Sequence, residues 1–443
     1  MLRKIRIAAA AFFFVLTTLL FLDFTGTLHA WFGWMAKIQF LPALLALNVG
    51  VVAFLVILTL LFGRVYCSVI CPLGVMQDIV SWASGKRRKH RNRFAYSPAL
   101  TWLRRGMLVV FVAAMLAGVG SLLAPYSAYG RIASNLLAPV YAWGNNLLAY
   151  IAGRMDSYAF YSVDVWMKSL STLLVAVVTF AVLFVLAWRS GRTYCNTICP
   201  VGTVLGFLAR YSLFKPRFDT SKCNGCKLCA RNCKASCIDP AAHKIDYSRC
   251  VACMDCLENC RQGAITYTLR RRKPDPAPAP QRPAADAAKT PSDASRRRFL
   301  GLAGIVAYSA LRAQEKKVDG GLAVIVDKKI PNRATPVVPP GAQSLRHFNA
   351  HCTGCQLCVS VCPNQVLRPS GKLMTLMQPE MSFERGYCRP ECTKCAEVCP
   401  TGAIRLTDLA GKSSIQIGHA VWIAENCVVN TDGVSCNNCA RHC

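Results

Sequence analysis

Residues 223–260 read CNGCKLCARNCKASCIDPAAHKIDYSRCVACMDCLENC. Cys223, Cys226, Cys229 and Cys233 follow a C-x2-C-x2-C-x3-C spacing, and Cys250, Cys253, Cys256 and Cys260 repeat it. Three thiolates held this close cap three irons of a cube, and the fourth cysteine of each run reaches the other cube. That is the arrangement of a two-cluster [4Fe–4S] ferredoxin. The crossed pairing assigns Cys223, Cys226, Cys229 and Cys260 to one cluster, and Cys250, Cys253, Cys256 and Cys233 to the other. Zinc sites also use C-x2-C pairs, but a four-thiol run duplicated at this spacing favours clusters. The proline usual after the fourth cysteine is replaced by Lys234 and Arg261. Cys237 is an extra thiol, read as a spare buried cysteine in preference to an alternative ligand. Lys222, Lys227, Arg231 and Lys234 offset the negative charge of a thiolate-bound cluster. Residues 218–269 are thus expected to form a small α+β ferredoxin-like module.

Upstream the character changes. The whole chain of 443 residues is 53% hydrophobic and only 17% charged, which is wrong for an ordinary soluble domain. Four apolar stretches, roughly 7–22, 40–62, 107–124 and 169–188, approach the ~20 residues that cross a bilayer. The first is read as an anchor, because no small-residue cleavage site follows it. Arg3, Lys4 and Arg6, the basic run 86–93, and Arg189, Arg192 and Arg210 cluster on one side of this pattern. Residues 1–217 are therefore expected to form an α-helical, four-span domain with both ends cytoplasmic. Residues 136–153 read as an interfacial or re-entrant segment. The formal charge of +30 resolves largely into topology markers and cluster surroundings, so nucleic acid is excluded as a partner and the lipid bilayer is retained.

Within this domain residues 63–74, GRVYCSVICPLG, recur as 191–202, GRTYCNTICPVG, with eight of twelve positions identical. Both copies follow an even-numbered span, so duplicated hairpins related by a pseudo-twofold axis would bring them together. Cys67, Cys71, Cys195 and Cys199 are candidate catalytic thiols. Cys-x-x-x-Cys puts both sulfurs on one helical face, whereas the following proline favours an extended second cysteine. A redox or metal role is preferred over packing of small apolar side chains. Arg64 and Arg192 read as headgroup anchors.

Downstream, residues 270–294 are a Pro/Ala-rich linker. Residues 295–313 open with Ser295, Arg296, Arg297, Arg298, Phe299 and Leu300, the order of a twin-arginine export signal placed mid-chain. Residues 314–443 carry Cys352, Cys355, Cys358 and Cys362, then Cys388, Cys392, Cys395 and Cys399, then a looser run of Cys427, Cys436, Cys439 and Cys443. Sequential pairing joins Cys352, Cys355 and Cys358 to Cys399, and Cys388, Cys392 and Cys395 to Cys362. Nested pairing joins the second run to the third. Either way one run lacks a partner, which suggests a fragment missing a fourth run. All 25 cysteines fall in motif regions.

The first 270 residues resemble the membrane polyferredoxins typified by NapH, with NosR and CcoG as related members. The resemblance rests on the spans, the two Cys-x-x-x-Cys-Pro copies and the ferredoxin runs. Residues from 295 on resemble NapG, the twin-arginine-exported ferredoxin. The resemblance implies a bacterial inner-membrane protein, its first module cytoplasmic and its second periplasmic. It also implies oxidation of quinol from the membrane quinone pool and delivery of electrons to a periplasmic redox partner. The resemblance to CcoG leaves a second reading, a maturation factor that reduces copper or a disulfide. The chain offers no dinucleotide-binding fingerprint and no nucleophile or acid–base constellation, and His29 has no second histidine for a haem.

Overall fold

A computed structural model describes residues 1–86, 94–117, 122–157, 159–269, 335–384, 386–418 and 421–442. The 21-residue helix Leu2–Leu22 opens on Arg3, Lys4 and Arg6, continues as an apolar stretch rich in Ala, Phe and Leu, and buries only the stripe through Ala10, Thr17, Leu20 and Phe21. At ~1.5 Å per residue it is ~30 Å long, the thickness of a bilayer core. It stops at Asp23, whose carboxylate accepts the backbone N–H groups of Thr25, Gly26 and Leu28 at 3.0, 2.9 and 2.9 Å. His29 stands beside the same carboxylate, with Nδ1 3.1 Å from Oδ2.

The apolar stretch 40–62 was expected as one span, and the structure breaks it into helices Phe40–Leu45 and Val49–Phe62. Leu47 takes a left-handed φ of 52°, and the Asn48 side chain accepts the Val51 N–H at 3.2 Å as a fresh N-cap. A polar cap inside an apolar run starts a new helix wherever its oxygen finds an unpaired N–H. Thr101–Leu116 begins six residues before the expected third span, and residues 118–121 lie outside the described set. Leu170–Ser190 matches the fourth. Among the described residues two helices, Leu2–Leu22 and Leu170–Ser190, are long and apolar enough to cross a membrane. The segment 136–153 is helical throughout. A π turn at Ala133–Leu137 runs into Ala138–Arg154, which has no buried residue. Asn145 and Asn146 on that helix bond the backbone of Tyr161 and Val163 and fold the next loop back along it.

The first cysteine-rich module is a compact α+β unit. Strands Phe214–Phe218 (β1) and Ile265–Leu269 (β4) pair antiparallel, with Phe214 opposite Leu269 and Phe218 opposite Ile265. Between them lie the hairpin of Ile238–Asp239 (β2) and Lys244–Ile245 (β3) and the short helices Leu228–Arg231 and Asp255–Asn259. The second module repeats the scheme with Leu367–Pro369 (β5) antiparallel to Pro379–Met381 (β6), and helices Leu357–Ser360 and Lys394–Glu397. Residues 270–334 lie outside the described residues, and the linker and the twin-arginine stretch fall there.

The modules meet different ends of the helical part. Arg3, at the start of the Leu2–Leu22 helix, pairs with Asp255 and Glu258 of the first module at 2.8 and 2.6 Å. Thr25, beyond the other end of that helix, accepts a bond from Lys394 of the second module at 3.1 Å. Asn135 and Lys168 also reach the second module, at Gln356 and at the Val359 carbonyl. Trp166 bonds Gln365, and its ring carries the Arg368 guanidinium at 4.4 Å.

Candidate iron–sulfur and thiol centres

Three cysteine runs share one backbone device. Two and four residues after the first cysteine the chain turns left-handed: Gly225 and Lys227 (φ 70° and 60°), Ala252 and Met254 (51° and 63°), Gly354 and Gln356 (59° and 66°). The paired turns curl each loop so that its three sulfurs converge. Four of these six positions are not glycine and hold a conformation costing roughly 1–2 kcal/mol each, a strain that accompanies a binding role. The Cys388 run, with its longer first gap, has no such pair.

The sulfurs gather as the crossed pairing requires. Cys223, Cys226, Cys229 and Cys260 line a pocket of about 250 Å³. Cys250, Cys253 and Cys256 line another with Cys233 and also Cys237, and Cys352, Cys355, Cys358 and Cys399 a third. Cys395 is an electrostatic neighbour of Cys388, Cys362 and Cys392, so the sequential pairing is the one brought together. Burial pushes the Cys229 thiol up to about 11 and those of Cys355 and Cys395 up to about 12. The donor sets fit [4Fe–4S] clusters: four thiols each, curled loops, and backbone N–H groups such as those of Gly354 and Leu357 aimed at sulfur. Among the described residues no three His, Cys, Asp or Glu side chains close on a single metal ion. Cys237, read as a spare, is buried with its sulfur 3.5 Å from that of Cys233. Of the third run, Cys436 and Cys439 are exposed and Cys427 is partly buried. Cys443 lies outside the described residues.

The two Cys-x-x-x-Cys-Pro copies meet. Cys67 and Cys195 lie on the short helices Val65–Val69 and Thr193–Thr197. Cys71 and Cys199 fall past their ends, directly before Pro72 and Pro200, which open the helices Pro72–Lys86 and Pro200–Ala209. Cys199 is extended, at φ −66° and ψ 119°. The proline therefore overrides the one-face helical arrangement. All four thiols are buried, and each is an electrostatic neighbour of the other three.

Arg64 and Arg192 were expected at lipid headgroups, and the structure corrects this: both are fully buried. Each reaches across to the other copy. Arg64 Nη2 donates to the Cys195 carbonyl at 3.1 Å, and Arg192 Nη1 donates to the Cys67 carbonyl at 2.7 Å. The repeated glycines make room. A Cβ on Gly74 would sit 2.2 Å from the Cys67 carbonyl oxygen and 2.6 Å from Arg192 Nη1. On Gly202 it would sit 2.2 Å from the Cys195 oxygen and 2.8 Å from Arg64 Nη2. The repetition of Gly-Arg and of the later glycine was the available signal, and the anchor reading passed over it.

Charge balance differs between the copies. Arg192 Nε donates to Asp78 Oδ1 at 2.9 Å, and Arg6 and Lys234 approach the same carboxylate at 2.9 and 3.6 Å. Burial works against ionisation of Asp78, but Arg192, Lys234 and Arg6 hold it well below the usual carboxylate range. Among the described residues no carboxylate pairs with Arg64. Its partners are Asn196 Oδ1 at 2.8 Å, the Ser248 and Cys195 carbonyls, and the Cys67 sulfur at 3.8 Å. Lys234, expected to offset cluster charge, is also paired with Asp255 at 3.0 Å.

A family model described as a 4Fe-4S binding domain matches residues 44–90 and 172–221, and one described as a 4Fe-4S dicluster domain matches 351–403. This is an iron–sulfur chain of ferredoxin type. It is similar to the methylamine utilization ferredoxin-type protein MauM of Methylophilus methylotrophus, 32% identical over 27% of this chain and 54% of that protein. It is similar to the ferredoxin-type protein NapH of Escherichia coli, 29% identical over 44% of this chain and 55% of NapH. The putative electron transport protein YccM of Escherichia coli is 28% identical over 41% of this chain and 44% of YccM. The chain thus spans about half the length of these curated relatives. No solved structure matches it.

Proposed function

We propose that this chain is a multi-span membrane protein that takes electrons from quinol and delivers them to a redox partner on the opposite, periplasmic side. One observation carries the reading: the two cysteine-rich modules engage opposite ends of one apolar helix. Arg3, in the first turn of that helix, holds the first module, and Thr25 meets Lys394 of the second beyond its other end. A bilayer-length helix with a ferredoxin module at each end suits transfer of reducing equivalents across a membrane. The four apolar stretches serve as spans, and the two Cys-x-x-x-Cys-Pro copies belong to duplicated hairpins. The basic flanks put the first module in the cytoplasm, and the twin-arginine stretch exports the second.

In this reading Cys223, Cys226, Cys229 and Cys260, and Cys250, Cys253, Cys256 and Cys233, each hold a [4Fe–4S] cluster. So do Cys352, Cys355, Cys358 and Cys399, and Cys388, Cys392, Cys395 and Cys362. Such clusters supply one-electron redox chemistry. The chain's own groups hold the loops curled and bury these cysteines wholly or in part, Cys226 excepted, and the N–H donors and Lys234 set the local charge. The relatives' printed names, ferredoxin-type and electron transport, agree with this role.

The test is anaerobic mixing of the purified full chain with a menaquinol analogue, followed by EPR and visible spectroscopy. Bleaching of cluster absorbance and reduced-cluster signals are expected. Clusters that dithionite reduces but the quinol analogue leaves oxidised would overturn the quinol reading.

A further inference from the structure

We propose that Cys67, Cys71, Cys195 and Cys199 together ligate a single iron–sulfur cluster, shared by the two repeat copies and lying between the two ferredoxin modules. Three independent observations point to an anionic, cluster-sized occupant.

The first is that every one of the four sulfurs faces a nitrogen donor. Cys67 has Arg64 Nη2 at 3.8 Å, and Cys195 has Gln77 Nε2 at 3.3 Å and Arg192 Nη1 at 4.0 Å. Cys199 accepts the Gly202 N–H at 3.4 Å, and Cys71 accepts that of Gly74. The last two donors open the helices Pro72–Lys86 and Pro200–Ala209, whose N-terminal ends carry positive potential. N–H groups aimed at sulfur are what tunes thiolate ligands of a cluster. Neutral thiols packed for bulk have no need of them.

The second is an imbalance of buried charge. Arg64 is fully buried, and among the described residues no carboxylate pairs with it. A buried guanidinium without an anion is costly, and Arg192 in the equivalent place has Asp78. Four thiolates on a cluster carry net negative charge and lie beside Arg64, whose partners are otherwise uncharged.

The third is spacing. All six pairs of these thiols are electrostatic neighbours, yet no trio closes on a single ion. The set of Cys352, Cys355, Cys358 and Cys399 has the same property, as sulfurs spanning a cube must. A zinc ion, with sulfurs ~2.3 Å from one centre, suits this spacing poorly. The two segments matched as a 4Fe-4S binding domain contain these four cysteines and no others.

The position is intermediate. On one side Arg64 touches the Ser248 carbonyl of the first module at 3.2 Å and is an electrostatic neighbour of Cys250. On the other, Tyr194 reaches the Leu123 carbonyl at 3.4 Å, and Arg131 neighbours both Tyr194 and Cys355 of the second module.

The experiment compares the full chain, made anaerobically, with its Cys71→Ser/Cys199→Ser form. Iron and acid-labile sulfide per chain are measured with Mössbauer and EPR spectra. The variant is expected to lose one cluster's worth of iron and an equal amount of sulfide, while the module signals persist. Unchanged iron in the folded variant, or a loss of zinc instead, overturns the proposal. A second variant, Arg64→Gln, keeps all four sulfurs. A redox titration should then show one feature moved to more negative potential and the others unmoved; a titration identical to wild type overturns the proposal even if the serine variant fails to accumulate. Iron content does not depend on the electron donor, so this outcome is separate from that of the quinol test.

Discussion

Asp78 binds three segments at one carboxylate: Arg6 from the first helix, Arg192 from the second repeat and Lys234 from the first module. Replacing it by Asn leaves Arg6 and Arg192 buried without that anion, while Lys234 keeps Asp255. Breaking a buried pair this way costs ~3–5 kcal/mol, so Asp78→Asn should lower the unfolding midpoint in detergent by a clearly measurable amount. An equal midpoint for variant and wild type would refute the hub. The sign of the pH effect follows from its depressed folded value. The stabilisation is complete above the unfolded carboxylate range, about pH 4, and is lost as pH falls through the folded value. Melting followed from neutral pH to about pH 3 should show the onset of that loss, and Asp78→Asn should flatten it. None of this was legible in the sequence, where Asp78 is a lone acid in a mostly apolar helix. Its partners lie 72 and 114 residues away, and only folding could bring them together.

At the scale of elements, the ferredoxin loops were largely legible because their chemistry is local. A C-x2-C-x2-C spacing restricts where three sulfurs can go, and Gly225 and Gly354 hint at the left-handed turn. Lys227, Met254 and Gln356 give no such hint, since side chains there pay no part in the motif's spelling. Lys227 is exposed with φ 60°. Lys227→Gly should therefore stabilise the module by up to ~1 kcal/mol, and Lys227→Val should destabilise it by more. Denaturant melts of the loaded chain read both, and the opposite order would refute the strain argument. The repeat makes a second prediction. A Cβ at Gly202 meets a carbonyl oxygen at 2.2 Å, contact the surrounding backbone must shift to relieve. Gly202→Ala should cost at least the ~1–3 kcal/mol of overpacking, whereas Gly85→Ala, with open space around it, should cost nothing. The broken 40–62 stretch shows the limit of apolar counting: hydropathy averages over Asn48, while a helix responds to the one N–H that Asn48 caps.

For the whole molecule, the decisive feature is which end of the helical part each module touches. Reporter domains fused after residue 269 and after residue 418 should fall on opposite sides of the membrane, as read by periplasmic phosphatase activity and cytoplasmic fluorescence. Both reporters active on the same side would end the two-sided reading. The second module is held at Trp166 and Lys168. Trp166→Ala should thus raise hydrogen exchange around 357–369 and leave 223–260 unchanged.

The sequence by itself determined the ligand inventory, the duplication of the Cys-x-x-x-Cys-Pro motif and the presence of two ferredoxin-type modules. These are properties of spacing along a covalent chain, and the chemistry of three nearby thiols survives whatever the rest of the chain does. Only the tertiary structure decided that Arg64 and Arg192 are exchanged between copies and that the four membrane thiols face one another. It also decided that the Cys352 run takes Cys399 as its partner. The reason is separation: Arg64 and Cys195 are 131 residues apart, and Arg192 and Cys67 are 125 apart. Contacts of that kind depend on how whole elements pack, and no local spacing encodes them.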